Sequence, residues 1–339
     1  MKRRTLALSV LDQSPIPSGA SSAEAVRQTV ELARACERWG YRRYWLAEHH
    51  SMPGLAGSTP EILIAHVAAA TSRIRVGSGG VMLSHYSSLK VAENFRMLET
   101  LYPGRIDLGI GRAPGSDRLT AQALAHGPGA LGIEHFPDQL QDLVGYLHND
   151  LPPDHPFRPV RVQPAGPTSP PIWLLGSSDQ SAAYAAGLGF AFSFAHFINP
   201  HGGPQVMAAY RQYYRPSAEL PEPLGSVGIS VLCADTTDEA EELAACLQLW
   251  RLKNESGEPG PVPTREEAAT YPYTLQDRAR LAANRGRLIA GDPPTVRRQL
   301  VDLAEAYAVD ELVVVTICPD FAARLRSYEL LAEVLPQPI

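Results

Sequence analysis

The chain has 339 residues, of which 45% are hydrophobic and 19% are charged, a composition typical of a globular protein and too apolar for a disordered one. This length allows two domains of about 150 residues, or one α/β barrel of more than about 200. The formal net charge is −6 and no long block of like charge occurs, so we expect no nucleic-acid partner.

Several features of the sequence indicate a cytoplasmic protein. The apolar stretch after the basic N-terminus meets Asp12 too early for a signal peptide, and no run reaches the roughly 18 apolar residues that span a bilayer. We therefore expect no membrane partner. The cysteines are scattered and form no CxxC pair, which is typical of unpaired thiols in a reducing compartment. Neither HExxH nor a Cys/His cluster occurs, so we expect no metal site.

Short β-rich runs alternate with segments of helical period along the whole chain. The predicted strands are Thr5–Leu11, Arg42–Leu46, Ile74–Gly77, Arg105–Ile110, Ile172–Leu175, Phe190–Phe194, Val227–Leu232 and Leu312–Ile317. This alternation predicts a parallel sheet. Eight βα repeats favour a closed (β/α)8 TIM barrel with insertions, formed as a single domain over residues 1–339. An open, doubly wound sheet of two domains is the alternative.

Helix boundaries are marked by capping signals. Ser21 and Glu24 have the spacing of a capping box before a helix that ends at Gly40, and Thr236 opens another helix by the same logic. Asp292 is a cap followed by proline at the first helical position. The least regular stretch, 251–287, is rich in Pro, Glu, Gly and Arg, and we expect a mobile loop or insertion there, after the seventh strand.

In a (β/α)8 barrel, functional residues follow the C-terminal ends of the strands. The residues selected by this rule are Asp12, Glu48, His49, His50, Ser78, Gly79, Gly80, Gly111, Arg112, Gly176, Ser177, Ser178 and His196. They are rich in groups that bind anions and move protons. Strand N-terminal ends offer mostly Arg, Pro and Gly instead.

The stretch Glu48-His49-His50 contains two candidates for proton transfer. Consecutive strand residues face opposite sides, so both histidines cannot point into one pocket from a regular strand. One of them is a candidate general base, because the unperturbed pKa of histidine lies near neutrality. The alternative is a pair of surface-loop histidines without a role.

Two loops are candidates for binding a phosphate. Gly176 to Ser181 leaves a strand and opens a helix, whose free N–H groups attract anions, with Ser177, Ser178 and Ser181 as further donors. A plain Ser/Asp helix cap is the alternative. Gly109 to Gly115 is weak as a dinucleotide fingerprint, and we interpret it as a glycine-lined strand end where Arg112 offers two donors to a phosphate. The alternative for Arg112 is an exposed arginine paired with an acid.

Glycines also interrupt the third strand. Gly77, Gly79 and Gly80 stand in what otherwise reads as a central strand, where glycine commonly marks a bulge or the close approach of a ligand. A bulge supporting a planar ring fits this pattern, and a simple packing constraint fits it equally.

Taken together, these stretches resemble the luciferase-like flavin monooxygenases of the bacterial-luciferase superfamily. The matching segments are 9–15 (SVLDQSP), 45–50 (WLAEHH), 74–83, 102–112 (YPGRIDLGIGR) and 174–178 (LLGSS), with 291–317 similar to the family's last βα unit. The resemblance implies a (β/α)8 barrel that binds reduced FMN, or in some branches a deazaflavin, at the C-terminal mouth. It also implies a homodimer across the helices that follow strands two and three.

The resemblance assigns roles residue by residue. It implies that His49 is the catalytic base, with His50 its neighbour and Glu48 orienting a histidine. Arg112 and Ser177 match the groups that contact the flavin phosphate; the match is looser at the neighbouring serines, Ser178 and Ser181. Gly79-Gly80 falls where the family often has a cis peptide that supports the flavin ring.

Two departures bear on the reaction. Gly111 replaces the reactive cysteine of luciferases and Gly176 replaces an acidic residue, so we do not expect light emission. The expected function is that of a two-component monooxygenase acting on a small organic substrate, with reduced FMN supplied by a separate flavin reductase because no nicotinamide fingerprint is present. The alternatives are a deazaflavin-dependent dehydrogenase on the same barrel and a non-catalytic flavin-binding relative.

Overall fold

The computed structural model describes residues 6–112, 117–125, 132–335 and 337. Within these ranges strands and helices alternate. The strands are β1 (Ala7–Asp12), β2 (Arg43–Leu46), β3 (Arg75–Ser78), β4 (Val81–Met82), β5 (Ile106–Gly111), β6 (Ile172–Gly176), β7 (Ala191–Ala195), β8 (Gly225–Cys233), β9 (Leu288–Gly291) and β10 (Glu311–Val315).

The helices surround these strands. They are α1 (Ser22–Arg38), α2 (Pro60–Ala70), α3 (Ser88–Leu101), α4 (Arg118–Leu124), α5 (Phe136–His148), α6 (Asp179–Leu188), α7 (Gly203–Gln212), α8 (Thr237–Glu255), α9 (Arg265–Thr270), α10 (Leu275–Ala283), α11 (Pro293–Tyr307) and α12 (Phe321–Val334). No helix in the described ranges is both long and apolar enough to cross a membrane.

Eight parallel strands close into a barrel. Around it they run in the order β1, β2, β3, β5, β6, β7, β8, β10, and β10 pairs with both β8 and β1. These are the eight strands that the sequence predicts, so the (β/α)8 barrel is confirmed and the open doubly wound sheet is wrong. Side chains on one face of these strands pack against the outer helices, and side chains on the other face fill the barrel.

The sequence does not locate β4, β9, α2, α4, α7 or α12. Ser230 of β8 pairs with Val315 of β10 and also with Leu288 of β9, so β9 lies on the opposite edge of β8, beyond the end of β7. The region expected to be irregular also begins later than predicted, because α8 continues through Glu255, and it contains α9 and α10.

The predicted helix ends are well formed. Ser21 and Glu24 make a reciprocal capping box at the start of α1, and Gly40 follows its end with φ of +83°, a conformation that favours glycine. The Thr236 side chain accepts from the Glu239 N–H, and Asp292 caps α11 ahead of Pro293. Local sequence therefore sets where these helices begin.

The strand N-terminal end of the barrel is closed by ion pairs. Arg43 donates to Asp107 at 2.9 Å and to Glu311 at 2.7 Å, and Arg75 donates to the other oxygen of Asp107 at 2.7 Å. Burial alone would raise the pKa of Asp107, but Arg43 and Arg75 outweigh it and hold this pKa below its ordinary value. With one end of the barrel filled in this way, a ligand site belongs at the C-terminal end.

Candidate functional site

His49 lies in the loop after β2 and is largely withdrawn from water. Its backbone N–H donates to the Gly57 carbonyl at 2.8 Å, while its buried Nδ1 has no hydrogen-bond partner among the described residues. Burial, and secondarily the neighbouring His50, lower the pKa of His49 to about 4. The imidazole is therefore neutral at pH 7 and carries a polar atom that a bound molecule would satisfy.

Glu48 is fully buried and holds three partners. Its carboxylate contacts His50 Nε2 at 2.7 Å and accepts from the Tyr86 hydroxyl at 2.7 Å and from the Met82 N–H at 2.8 Å. The two histidines are thus engaged differently: Glu48 fixes the ring of His50, not that of His49. Glu48 also ties the end of β2 to the segment that follows Gly80.

The glycine segment after β3 approaches the barrel interior closely. The Gly79 N–H donates to the Leu46 carbonyl at 2.7 Å, and a methyl group at Gly79 would collide with Leu11. A Cβ on Gly80 would lie 2.8 Å from the Gly109 carbonyl oxygen. The peptide between Gly79 and Gly80 is cis, as the family resemblance implies. Both positions therefore require glycine, and the backbone itself forms the surface of this wall.

Arg112 and the serine loop lie together at the N-terminus of α6. β5 and β6 are neighbours, with Gly111 paired to Leu175, and Arg112 Nη1 donates to the Gln180 side chain in the first turn of α6. Ser178 is the N-cap residue, yet its side chain makes no capping hydrogen bond. A guanidinium, free helical N–H groups and an uncommitted hydroxyl are the elements of an anion site.

Two residues of this loop limit the site. Ser181 is buried, and its Oγ lies so close to Gly176 that a side chain there would collide with it. Ser181 therefore lies behind the loop, whereas Ser177 and Ser178 are partly exposed. Asp179 is exposed in the first turn and accepts from the Gln180 N–H at 2.8 Å. Its negative charge opposes an anion at this helix end.

Two other strand-end candidates are engaged elsewhere. Burial raises the pKa of Asp12, but Arg324 of α12 and the Tyr44 hydroxyl hold it below its ordinary value, and the carboxylate is committed to these partners. His196 uses both ring nitrogens: Nδ1 lies 2.7 Å from the Tyr307 hydroxyl and Nε2 lies 3.0 Å from the Gly286 carbonyl. Because a carbonyl only accepts, Nε2 carries the proton and Nδ1 accepts from Tyr307.

The structure adds residues that the sequence analysis missed. Gln180 positions Arg112, Tyr86 and Met82 complete the shell of Glu48, and Asn199 donates to the Ser177 carbonyl at 3.3 Å. None of them belongs to a recognisable motif. Only their position after a strand end or at a helix start gave a signal.

Most of the chain matches a known protein family. The family model of luciferase-like monooxygenases matches residues 6–310. The chain belongs to this family. Luciferase-like monooxygenases are oxidoreductases, and the resemblance drawn from the five sequence segments is therefore confirmed.

Three curated relatives span almost the whole chain. YceB of Bacillus subtilis (strain 168), an uncharacterised protein, is 47% identical over 327 residues, covering 96% of this chain and 98% of that protein. A luciferase-like monooxygenase of Escherichia coli (strain K12) is 40% identical over 335 residues, covering 98% of each chain. N-acetyl-S-alkylcysteine monooxygenase of B. subtilis (strain 168) is 37% identical over 331 residues, covering 97% and 98%.

Solved structures share the barrel. Apo-MsnO8 aligns with a TM-score of 0.90 and 40% identity, covering 98% of this chain and 99% of that one. The oxygenating constituent of 3,6-diketocamphane monooxygenase from Pseudomonas putida, solved with FMN, aligns with a TM-score of 0.70 at 18% identity, and 99% of each chain is covered. An F420-dependent secondary alcohol dehydrogenase aligns with a TM-score of 0.70 at 12% identity, covering 98% of this chain and 100% of that one. At such low identity the last two show the fold alone.

Proposed function

We propose that this luciferase-like monooxygenase binds reduced FMN at the barrel mouth and uses it with O2 to oxidise a small organic substrate. The observation that carries the proposal is the hydrogen bond from Arg112 to Gln180. It brings a guanidinium to the start of α6, beside Ser177 and Ser178. The cofactor would come reduced from a separate flavin reductase.

The residues present fit the phosphate of FMN. Arg112 would donate to it, and Ser177, Ser178 and the first N–H groups of α6 would supply further hydrogen bonds. Ser181, buried behind Gly176, would support the loop rather than touch the ligand. A bidentate arginine and a helix N-terminus recognise a phosphate with little rearrangement, since both are held by their own elements.

The residues beside Gly79 fit a flat ring. The Gly79–Gly80 backbone would support one face of the isoalloxazine, because neither residue carries a side chain that would keep it away. Leu11 and Trp45 lie against Gly79, and they belong to an apolar cluster that also contains Leu232 of β8 and residues of α8. Such a surface excludes water from the reacting atoms.

The histidines would have different tasks. When bound, reduced FMN supplies the electrons that activate oxygen. His49, neutral at pH 7, would accept and hold a proton at its unpartnered Nδ1. His50 is anchored by Glu48, so this pair would position the loop and the adjacent Gly80 segment.

We propose FMN rather than a deazaflavin because the chain is more similar in sequence to monooxygenases than to the deazaflavin-dependent neighbour. The relatives of 37–40% identity that are named for an activity are monooxygenases, whereas the F420-dependent neighbour is 12% identical. A deazaflavin-dependent dehydrogenase on the same barrel is the second candidate, because the barrel is common to both chemistries.

We also propose that the chain is a single barrel domain and that it forms a cytoplasmic homodimer through α2 and α3. Ile62 on α2 is 72% exposed, and Met97 and Leu101 on α3 are 49% and 56% exposed. Large apolar side chains on neighbouring helices are typical of a subunit interface. The part of the expected loop that follows α8, residues 256–287, would act as a mobile cover at the barrel mouth.

Anaerobic titration tests the proposed cofactor. Reduced FMN is expected to bind wild-type protein with micromolar or better affinity, and reduced riboflavin more weakly. Arg112→Ala should weaken the binding of reduced FMN by about 10- to 100-fold, which is the effect of losing one charge-assisted hydrogen-bonding group. The affinity for reduced riboflavin should stay unchanged. Tighter binding of a reduced deazaflavin than of FMN would select the second candidate. Absence of binding by either would refute the proposal.

A further inference from the structure

Arg251 is a half-buried cation at the level of the barrel mouth. It lies near the end of α8, and its Nη2 donates to Ser230 Oγ at 2.6 Å. Ser230 is fully buried on β8 and pairs with Val315, the last residue of β10. This level is therefore the C-terminal end of the barrel.

The Ser230 side chain points into the barrel. Along β8, Val227, Ile229 and Val231 belong to the core shared with the outer helices, whereas Leu232 belongs to the interior cluster with Trp45. Alternation along the strand places Ser230 on the same face as Leu232. The guanidinium of Arg251 therefore contacts the inward face of β8 at the C-terminal end of the barrel.

Positive charge at this point exceeds negative charge. Arg287 Nη1 contacts Glu255 Oε1 at 3.1 Å, and Glu255 is also the carboxylate that favours the charged form of Arg251. One carboxylate thus serves two guanidiniums. Burial, and secondarily Arg287, lower the pKa of Arg251 to about 10, so it remains charged at pH 7.

Hydrogen-bond donors are also left over. Within the described part of the chain, the bond to Ser230 is the one hydrogen bond of the Arg251 guanidinium, and the buried Nε of Arg287 has no partner. A half-buried cation whose donors are not all matched is unfavourable on its own, and such an arrangement is tolerated where a ligand completes the pairing. The cavity of about 20 Å³ between Arg251 and α10 holds no more than a water, so a ligand would approach from the barrel interior.

The position relative to the proposed flavin site limits what this ligand is. In the circular strand order β8 stands four strands from β3, so Ser230 and Gly79 lie on opposite walls. The proposed phosphate site follows β5 and β6. A molecule lying against the flavin ring would therefore have Arg251 on its other side.

We propose that Arg251, assisted by Arg287, binds the carboxylate of the organic substrate, which makes the substrate a small carboxylic acid. This proposal rests on the proposed function, because the flavin defines where the substrate lies. The planar fork of a guanidinium matches the two oxygens of a carboxylate, and a partly desolvated site strengthens that pairing. The alternative partner for Arg251 is an electron-rich oxygen of the flavin itself. The experiment distinguishes a substrate carboxylate from a flavin oxygen.

The test uses n-alkanoates from acetate to octanoate and their primary amides, titrated against full-length protein with intrinsic tryptophan fluorescence as the readout. At least one alkanoate is expected to bind saturably, and its amide at least tenfold more weakly. Arg251→Gln should abolish this preference for the acid over the amide. Arg251→Lys should weaken the binding of the acid about tenfold, because lysine keeps the charge but lacks the planar fork of the guanidinium. Arg280→Gln, which removes an exposed arginine bonded to Ser256, is the matched control and should bind as wild type does.

Reduced FMN is titrated against the same variants. Arg251→Gln is expected to bind it within twofold of wild type. The proposal is overturned if no alkanoate binds, if acid and amide bind alike, if Arg251→Gln keeps the preference, or if this variant loses affinity for reduced FMN instead. Alkanoate binding that depends on Arg251 in a protein that does not bind FMN would refute the proposed function and leave this anion site standing.

Discussion

His49 makes the stability of the protein depend on pH in a way that can be calculated from its surroundings. In the folded protein, burial and His50 lower the pKa of His49 from 6.5 to about 4. An unfolded chain restores the ordinary value, so the unfolded state binds the additional proton between these two pH values. The contribution of His49 to stability is therefore fully present above about pH 6.5 and is lost as the pH falls towards 4.

The magnitude follows from the size of the shift. Each pKa unit corresponds to 1.36 kcal/mol, so a shift from 6.5 to about 4 is worth about 3 kcal/mol in total. By pH 5 about 2 kcal/mol of this is lost, while the folded protein still holds the imidazole neutral. His49→Gln cannot titrate and removes this part of the pH dependence.

Urea unfolding at pH 7.5 and pH 5 measures the difference. Wild type is expected to lose about 2 kcal/mol more unfolding free energy over this interval than His49→Gln does. His201→Gln, which removes an exposed histidine, is the control and should behave as wild type does. Histidine-selective NMR reads the folded-state titration directly and should place it near pH 4. An equal loss in wild type and His49→Gln, or a His49 titration near 6.5, would refute the reasoning.

Three further changes have definite expected outcomes. Asp107→Asn leaves the buried Arg43 with Glu311 as its carboxylate partner and removes the carboxylate that Arg75 contacts. It should lower the unfolding free energy at pH 7 by about 3–5 kcal/mol, measured in urea; a loss below about 1 kcal/mol contradicts the role given to this network. Asp179→Asn removes a negative charge from the start of α6 and should increase the affinity for reduced FMN about two- to fivefold in anaerobic titration. A lower affinity would mean that the phosphate lies elsewhere. Ile62→Glu should convert the dimer to a monomer, as measured by the molar mass from light scattering. A monomeric wild type would contradict the proposed interface.

Local signals allowed much of the fold to be predicted. The apolar run Leu312–Val315 and the seven other predicted strands are recognisable in the sequence, because buried parallel strands are rich in apolar residues. Ser21 and Asp292 mark helix starts, because their side chains satisfy N–H groups within three residues. β4 was missed because a strand of two residues depends on its partner rather than on its own sequence, and β9 was missed because it directly follows the stretch that the sequence indicates as irregular.

The candidate site was predictable in its positions and less so in its contacts. The strand-end rule identifies Arg112, Ser177 and His49, since a closed barrel brings all eight strand ends together. It also selects Asp12, which is instead bound by Arg324, a residue 312 positions away. Arg251 stands at the start of the stretch that the sequence indicates as irregular, and only the structure places it near the end of α8, in contact with Ser230. Contacts of this kind require the structure.

A crystal structure of the protein with FMN tests the central claim most directly. The account predicts the phosphate within hydrogen-bond distance of Arg112 and Ser177, with the isoalloxazine against the Gly79–Gly80 backbone. A phosphate bound away from the start of α6, or a ring lying on another wall of the barrel, would contradict it.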